Sequence, residues 1–457
     1  MNIAQQLAAF ACELRPSDIP EPVRERARHL ILDAVGIACA STRYEFAQRS
    51  LAAAHALGSG PCPVIGLAAQ LAPREAILLN GVLVHGLDYD DTHGPGVIHA
   101  TASCLPTALV LAAHYGLPGE ELLCAYIAGM EAATRIASVA QGGFHLRGYH
   151  PTGVVGAFAA ALISGRLQGQ APSQLAMAQG IALSMAGGSL EFLEDGAWTK
   201  RLHPGWAGAA GFTAATLARH GITGPAAAYE GRHGLYRLCL GEAAEALDYG
   251  QATQGLGDVW ELDQVAVKPL PACHFTHACA DAATRLHGEG VPLERITAIE
   301  AWVPAQTVGV VCEPVASKRR PKNSYEAQFS IHYAVASALV RGRFGLAEQE
   351  GAALADPQVL AVADKVEHRI DPASGFPRYY SGEVRITLDD GRVLSHREAI
   401  NRGNAERPLS NADIIGKCRA NILTAFSPAR AEAVIAAVLG LERHSAAQLA
   451  HALAAPA

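Results

Sequence analysis

The chain has 457 residues, of which 50% are hydrophobic and 17% are charged, and its formal net charge is −7. Because this length exceeds what one hydrophobic core usually fills, we expect two domains. The negative charge and a pI near 6.2 argue against nucleic acid or an anionic membrane as a partner.

The N-terminus and the cysteines indicate the compartment. The opening segment MNIAQQLAAFACEL has neither the basic start nor the cleavage-site pattern of a signal peptide. The most apolar runs, such as VVGAFAAALISG, are shorter than a membrane span. The ten cysteines occur singly, with no C-x-x-C pair, as is typical of reduced thiols. We therefore expect a cytoplasmic protein that does not bind a membrane.

From residue 3 to about residue 245 the pattern predicts helices throughout. A start signal at Ser17-Asp18 precedes apolar positions at helical spacing that continue to Ser41. Further helices are predicted over residues 121–140, 154–167, 173–186 and 205–220. Several of them are apolar on every side, which predicts central helices without a solvated face.

Near residue 258 the pattern changes to β-branched residues with period-two alternation. Strands are predicted within DVWELDQVAVK, ITAIEAWVPAQTVGVV and GEVRITLDDGRVLSHREA, the last being a hairpin that turns at Asp390-Gly391. Helices are predicted over residues 325–340 and 354–366, and the helical pattern returns after about residue 405. The predicted fold is therefore mainly α with a smaller α+β domain. Residues 1–265 with 406–457 form the all-helical domain, and residues 266–405 form the inserted α+β domain.

The segment LNGVLVHGLDYDDTHGPGVIHATASCLP, residues 79–106, carries the densest polar chemistry in the chain. It contains three carboxylates and three imidazoles: Asp88, Asp90, Asp91, His85, His93 and His99. Charged groups are costly to bury without partners, and a loop rich in glycine and aspartate is a place where side chains converge. We interpret the segment as one wall of an active site.

Four further clusters combine cations, histidines or cysteines with glycine and proline. They are GYHPTG at 148–153, WTKRLHPGW at 198–206, KPLPACHFTHAC at 268–279 and KRRPKNSY at 318–325. Each alone has a structural explanation, such as a capped or solvated helix start, and the basic run is either a solvated loop or a carboxylate-binding loop. The third suggests zinc, but the adjacent Cys273 and His274 lack the paired spacing of a tetrahedral site. An anion-binding junction between a strand and a helix fits it better.

In their order and spacing these segments resemble the MmgE/PrpD family, which includes 2-methylcitrate dehydratase, cis-aconitate decarboxylase and iminodisuccinate epimerase. The similarity spans nearly the whole chain and rests on HGLDYDDTH with the following His99, GYHPTG, TKRLHPGWAGAAGFTAATLARHGITGP with YEGRHG, KPLPACHFTHACADAA, and EAQFSIHYAVASAL. The resemblance implies a helical domain from both chain ends, a smaller α+β domain and a site in the cleft between them. It also implies a homodimer that works without a metal, an iron–sulfur cluster or an organic cofactor.

The resemblance further implies which residues build the site. They are Asp88, Thr92, His99, His150, Lys200 and Lys268, with Tyr325 and Tyr333 as two candidates for one tyrosine. Removing water or CO₂ from a polycarboxylate, or epimerising it, builds negative charge on a carbon beside a carboxylate. Without a metal, cations and hydrogen-bond donors must stabilise that charge.

Each residue type then has an expected role. The two lysines bind substrate carboxylates, and His99 and His150 carry protons, because imidazole titrates near neutral pH. Thr92 donates a hydrogen bond to the substrate, and Asp88 orients or tunes a histidine. Four further residues of the segment 79–106 brace the loop: His85, Asp90, Asp91 and His93.

Two positions depart from the family pattern. Cys273 stands five positions after Lys268, where cis-aconitate decarboxylases have a histidine, so decarboxylation is disfavoured. Cys273 carries protons itself if Lys268 depresses the pKa of its thiol. Ala100 follows His99 where many relatives have proline.

We therefore expect a cofactor-independent hydro-lyase of the 2-methylcitrate dehydratase type that acts on a small di- or tricarboxylate by general acid–base elimination. Within the family, the alternatives are an epimerase, with Cys273 opposite a histidine, and a decarboxylase. From other classes, the alternatives are a metal-dependent hydrolase that uses the Asp- and His-rich loop, which stoichiometric zinc would reveal, and a catalytically inactive carboxylate-binding protein.

Overall fold

The computed structural model describes residues 1–455, which divide into two compact units. The first unit contains Met1–Gly86, Asp90–Val267 and the segment from Ser410 onward. The second contains Leu87–Tyr89 and Lys268–Leu409. The fold is mainly α with a smaller α+β part, as predicted.

The first unit is built of helices. Their bounds are Ile3–Glu13, Glu21–Ser41, Glu45–Leu57, Pro73–His85, Thr101–His114, Gly119–Val139, Gly143–Leu146, Pro151–Leu167, Pro172–Ala182, Phe192–Asp195, Thr199–Arg219, Leu235–Leu240, Asn411–Leu423, Pro428–Leu439 and Ala446–Leu453. Pro151–Leu167 is buried at all but one of its residues, which confirms the prediction of helices without a solvated face. Gly119–Val139 is the one helix among the described residues that is long and apolar enough to span a membrane. Inside this unit 94% of its apolar window is buried, as in a core helix.

Two helices that carry site residues cross at glycines. A Cβ on Gly81 would lie 2.4 Å from the Cα of Gly205, and a Cβ on Gly205 would lie 2.1 Å from the carbonyl oxygen of Leu78. Any larger side chain at either position would therefore push Pro73–His85 away from Thr199–Arg219. This close crossing brings His85, at the end of the first helix, toward the first turns of the second.

The prediction of helices throughout residues 3–245 is wrong at residues 59–71. Ser59–Val64 and Leu67–Leu71 form an antiparallel hairpin that turns at Gly66, whose φ is +67°. Alanine and glutamine dominate the second strand, so its composition gave no strand signal. A second small ladder pairs Thr92–His93 with Val265–Ala266. The predicted strand over 258–268 is reduced to those two residues, because Glu261–Gln264 is a 3₁₀ turn.

The second unit holds a four-stranded sheet in the order Val366–Ile370, Ile296–Val303, Gly382–Leu388 and Val393–Glu398. The first pair is parallel, and the other two pairs are antiparallel. Gly391, with a φ of +81°, turns the last hairpin, as predicted. The helices of this unit are His277–Gly288, Val308–Val311, Val315–Arg319, Ser324–Gln328, Ile331–Arg341 and Pro357–Ala363.

Three predicted elements of this unit are divided differently in the structure. The helix predicted over 325–340 is two helices, because the Ser330 side chain caps a new start by accepting from the Tyr333 N–H. The strand predicted over 296–311 ends at Val303, before Pro304, and short helical turns follow it. The stretch predicted as helix over 354–366 is helical at Pro357–Ala363 and enters a strand at Val366.

Candidate active site

The first unit gathers four histidines from three distant parts of its sequence. The ring centroid of His85 lies 5.0 Å from that of His99 and 5.4 Å from that of His150. The rings of His99 and His150 are 6.0 Å apart, and the ring of His203 is 5.1 Å from that of His150. We call these four residues the imidazole cluster. His99 and His150 were predicted in the site, whereas His85 was assigned to loop bracing and His203 to no role.

His85 is paired with a carboxylate. Its Nδ1 lies 2.8 Å from an Oδ of Asp90, and both side chains are fully buried. A carboxylate accepts hydrogen bonds only, so the Nδ1–H of His85 donates to it. Asp90, which was predicted to brace the loop, thus contacts a ring of the cluster.

His99 is fixed as one tautomer by its backbone contact. Its Nδ1 lies 2.7 Å from the carbonyl oxygen of Asp91 and 3.3 Å from the hydroxyl oxygen of Thr92. Because a carbonyl only accepts, Nδ1 of His99 carries the proton and Nε2 is the basic nitrogen of the neutral ring. This geometry suits a general base.

His150 and His203 face each other through their Nδ1 atoms, which are 3.0 Å apart. Burial, followed by the positive charge of Lys200, lowers the pKa of His150 well below its usual value. Burial, the His85 ring and Lys200 lower the pKa of His203 to about 4. Both rings are therefore neutral at pH 7, and one donates to the other. Among the described residues, the buried Nε2 of His150 has no hydrogen-bond partner.

Lys200 supplies positive charge beside the cluster. It is buried at the start of the helix Thr199–Arg219, three residues before His203. The neighbouring Arg201 is also buried, and its Nε donates to the carbonyl of Gly86 over 2.8 Å. A solvated helix start, the alternative explanation for the segment 198–206, is therefore wrong for these two cations. A cation beside the neutral rings of His150 and His203 favours an anionic ligand.

The loop that carries Thr92 and His99 is closed on itself and strained. The N–H of His93 donates to the carbonyl of Ile98 over 2.8 Å, and the reverse bond is 3.3 Å. Between them Val97 has a φ of +51°, a rare conformation for a β-branched residue. Strain of this kind persists where surrounding contacts hold it, and it concentrates at functional sites.

Burial and the Asp90 charge raise the pKa of Asp91 to about 8, and its carboxyl accepts from the N–H of Thr101.

The second unit places Asp88 and Lys268 together. The Nζ of Lys268 lies 2.9 Å from Oδ1 of Asp88 and 2.9 Å from the carbonyl oxygen of Asp88, and both side chains are buried. The backbone at Asp88 is held at a φ of +49°. Both residues were predicted in the site, but with separate roles. The structure shows them as an ion pair, because a buried ammonium requires a counter-charge.

The remaining predicted site residues lie in the second unit. Cys273 is nearly buried, and its N–H donates to the carbonyl of Gln328 over 2.9 Å. Tyr325 is buried against Phe329, with ring centroids 5.3 Å apart. The hydroxyl of Tyr333 lies 2.8 Å from the carbonyl oxygens of both Glu348 and Ala353, so it ties together the backbone of its own unit. Of the two tyrosines, Tyr325 is therefore the stronger site candidate.

The contacts of the CHFTHAC segment oppose zinc ligation. The Nε2 of His277 donates to the carbonyl of Ala272 over 3.1 Å, and the thiol of Cys279 donates to the carbonyl of Trp302 over 3.4 Å. Burial raises the pKa of the Cys279 thiol, and zinc binds the thiolate. Both side chains thus serve as hydrogen-bond donors within the unit.

The basic run is also engaged in structural contacts. Lys318 is buried, and its Nζ donates to the carbonyl of Val310 over 2.8 Å. Arg319 pairs with Glu367, and Arg320 pairs with Asp364. Arg319 thereby links its helix to the sheet, and Arg320 links the end of that helix to the end of the helix Pro357–Ala363. These contacts give no support to a carboxylate-binding loop.

Comparison with known proteins gives matches across the chain. The family model described as the MmgE/PrpD N-terminal domain matches residues 5–247, and the MmgE/PrpD C-terminal domain matches residues 270–443. A cis-aconitate decarboxylase-like protein of Aspergillus oryzae is 27% identical over 472 residues, covering 96% of this chain and 95% of the relative. The cis-aconitate decarboxylase of Mus musculus is 27% identical over 456 residues, covering 96% and 91%. A 2-methylcitrate dehydratase of Cupriavidus necator is 28% identical over 188 residues, covering 38% and 37%.

Proposed function

Because the chain belongs to the MmgE/PrpD family, we propose that it is a lyase that acts on a small polycarboxylate by acid–base chemistry. The observation that carries this proposal is the imidazole cluster beside Lys200, in which His99 and His150 lie 6.0 Å apart. Paired imidazoles move protons near neutral pH, and a buried cation holds a carboxylate next to the carbon that reacts. The relatives named above include a cis-aconitate decarboxylase and a 2-methylcitrate dehydratase, and these names describe lyase reactions on small polycarboxylates.

The proposed roles follow from the hydrogen bonds. His99 is the general base through Nε2, since its Nδ1 donates to the carbonyl of Asp91. Lys200 binds a substrate carboxylate, and Thr92 holds the His99 ring and donates to the substrate. In the second unit we assign Lys268, with Asp88 as its counter-charge, to a further substrate carboxylate, and Cys273 and Tyr325 to substrate binding.

Dehydration is the first candidate reaction. The residue that favours it is Cys273, five positions after Lys268, where the family resemblance implies a histidine in cis-aconitate decarboxylases. In this reaction a base removes a proton beside a carboxylate, the electron pair forms the alkene, and the hydroxyl leaves as water after it is protonated.

Decarboxylation is the second candidate, and a different observation favours it. The cis-aconitate decarboxylases match at least 96% of this chain, whereas the dehydratase matches only 38%. Here the bond to CO₂ breaks, the electron pair remains on carbon, and an acid protonates that carbon. The same lysine and imidazoles serve both reactions.

The compartment, the oligomeric state and the cofactor requirement are part of the same proposal. We place it in the cytoplasm as a homodimer that needs no cofactor. Support for the compartment comes from the ten cysteines, all of which are free thiols.

NMR of the purified protein with a panel of citrate-like and aspartate-derived acids in D₂O tests the proposal. Alkene signals from a 2-methylcitrate-like acid support dehydration, and loss of CO₂ from a cis-aconitate-like acid supports decarboxylation. Deuterium incorporation without net reaction identifies an epimerase and overturns the lyase. No turnover of any acid overturns the enzyme as a whole. The variant His99→Gln tests the proposed base, and His55→Gln, at an exposed histidine, is its matched control.

A further inference from the structure

The three central rings of the imidazole cluster differ in what their Nδ1 atoms face. That of His99 faces a backbone carbonyl, that of His150 faces another imidazole, and that of His85 faces the carboxylate of Asp90. These partners set which ring holds an additional proton, since only a carboxylate brings a full negative charge to the ring. The rings are otherwise alike in residue type and in their distances from one another.

From this geometry we infer that His85 is the proton donor of the proposed reaction and that Asp90 is the positioning residue that keeps it charged and oriented. The inference rests on the proposed function. In hydrolases with a Ser–His–Asp triad, a buried aspartate on Nδ1 fixes the tautomer and stabilises the imidazolium. At His85 the same contact, 2.8 Å long, is shielded from water on both sides.

The surroundings of His85 distinguish it from its neighbours. His99 is committed as a base, because its Nδ1–H is held by the Asp91 carbonyl. His150 is flanked by three other imidazoles and Lys200, which disfavour a positive charge on it. Of these three rings, His85 has the contact that favours an imidazolium, and it lies 5.0 Å from the base and 5.4 Å from His150.

The proton transfers balance for both candidate reactions. In dehydration His99 takes the proton from carbon, the C–H electrons form the double bond, and the C–O bond breaks. The leaving hydroxyl takes the Nε2 proton of His85 and departs as water. In decarboxylation the C–C bond to the departing CO₂ supplies its electron pair to carbon, and that carbon takes the Nε2 proton of His85. Asp90 stays a carboxylate throughout. After dehydration His99 releases to water the proton that it took from carbon, and His85 takes one up from water, so the cycle consumes no net proton. In decarboxylation His99 gains no proton, and water supplies the one proton that the new C–H bond consumes.

The pairing is tested without any substrate by proton NMR of histidine-labelled protein. An imidazole N–H bonded to a carboxylate gives a signal far downfield. We expect one such signal to disappear in His85→Gln and to shift or disappear in Asp90→Asn. If both variants keep the signal unchanged, the pair does not form and the inference fails.

Steady-state kinetics on the substrate identified in the panel test the role. Asp90→Asn is isosteric, and Asn presents an N–H that favours the wrong tautomer of His85, so we expect kcat to fall about 10²- to 10⁴-fold with KM changed less than about threefold. His85→Gln should lose a similar factor, and the double variant little more, because the two residues act as one unit. The matched control is Glu261→Gln, which alters the other imidazole–carboxylate contact of this loop, His93 to Glu261 at 3.2 Å. It should leave kcat within about threefold of wild type.

The outcomes separate this inference from the proposed function. A wild-type protein that turns over a polycarboxylate while Asp90→Asn keeps kcat within about threefold overturns the role of the pair and leaves the lyase intact. A fall in Glu261→Gln equal to that in Asp90→Asn also overturns it, since the effect would then be structural. A wild-type protein without turnover overturns the proposed function, while NMR still decides the pairing. If His85→Gln does not fold, Asp90→Asn decides alone.

Discussion

The candidate site residues of the two units hold their titratable groups in different ways. Beside Lys200 the first holds the neutral rings of His150 and His203, whose pKa values are lowered by burial. The second holds an ion pair between Lys268 and Asp88, 2.9 Å long, with both side chains buried. A neutral ring costs less to bury than an unpaired charge, and a buried charge depends on its partner. Loss of a group should therefore cost mainly activity in the first unit and mainly stability in the second.

The largest effect on stability is expected at the ion pair. Lys268→Met leaves the Asp88 carboxylate buried without its ammonium, which should lower the free energy of unfolding by about 3–5 kcal/mol. The double variant Lys268→Met with Asp88→Asn removes both charges and should recover part of that loss. Urea denaturation followed by circular dichroism measures both. A single variant as stable as wild type would show that the pair is not held as the structure has it.

In the first unit the matching change should affect the rate instead. His99→Gln removes the proposed base but keeps a hydrogen-bonding side chain, so we expect kcat to fall about 10²- to 10⁴-fold. Unfolding free energy should change by less than about 1.5 kcal/mol, because no buried charge loses its partner. Kinetics and urea denaturation of one preparation give both values. A large loss of stability with unchanged kcat would reverse the contrast between the units.

The pH dependence of stability sharpens the contrast further. The folded-state pKa of His203 is about 4, below the usual 6.5 of an unfolded chain. As the pH falls from 6.5 toward 4, His203 becomes protonated in the unfolded state but stays neutral in the folded state. This difference lowers the free energy of unfolding by roughly 3 kcal/mol over that window. Asp91 acts in the opposite direction, because its pKa is raised to about 8. Urea denaturation at several pH values gives the free energy of unfolding of wild type and of His203→Gln. Between pH 6.5 and pH 4 that free energy should fall less in the variant than in wild type. An equal fall in both would contradict the neutral pair of His150 and His203.

The smallest expected effect separates the two tyrosines of the second unit. Tyr333→Phe removes a hydroxyl that lies 2.8 Å from two carbonyl oxygens, which should cost about 1–2 kcal/mol of stability and leave kcat unchanged. Tyr325→Phe should instead raise KM for the polycarboxylate if its hydroxyl contacts the substrate. Thermal denaturation and steady-state kinetics of the pair decide this. A changed KM in Tyr333→Phe alone would exchange their roles.

Helical periodicity and hydrophobic patterning predicted much of the fold. The helices at Glu21–Ser41, Gly119–Val139 and Pro151–Leu167 and the hairpin at Gly391 follow directly from local sequence. The hairpin at 59–71 could not be predicted, because its strands are rich in alanine, glycine and proline and Val64 is their one β-branched residue. Strand lengths near residues 258 and 304 were set by proline and by tertiary pairing.

The candidate site was predictable by residue type but not by partner. The polar density of residues 79–106 located the loop, and the family pattern named His99, His150, Lys200 and Lys268. The acceptor that each Nδ1 atom contacts depends on side-chain positions in the folded unit. The sequence therefore predicted only loop bracing for His85. His203 lies three residues after Lys200 on one helix, and this spacing places both side chains on one face. That spacing could have identified His203 as a site residue from the sequence. Asp88 and Lys268 are 180 residues apart, and no local pattern joins them.

The central claim is that the imidazole cluster performs acid–base chemistry on a small polycarboxylate. Its most direct test is the rate of product formation, followed by NMR in D₂O, for wild type, His99→Gln and His55→Gln on the acid that wild type converts. We expect wild type and His55→Gln to form product at the same rate, with loss of water or CO₂, and His99→Gln to be at least about 100-fold slower. Equal rates in wild type and His99→Gln would contradict the claim.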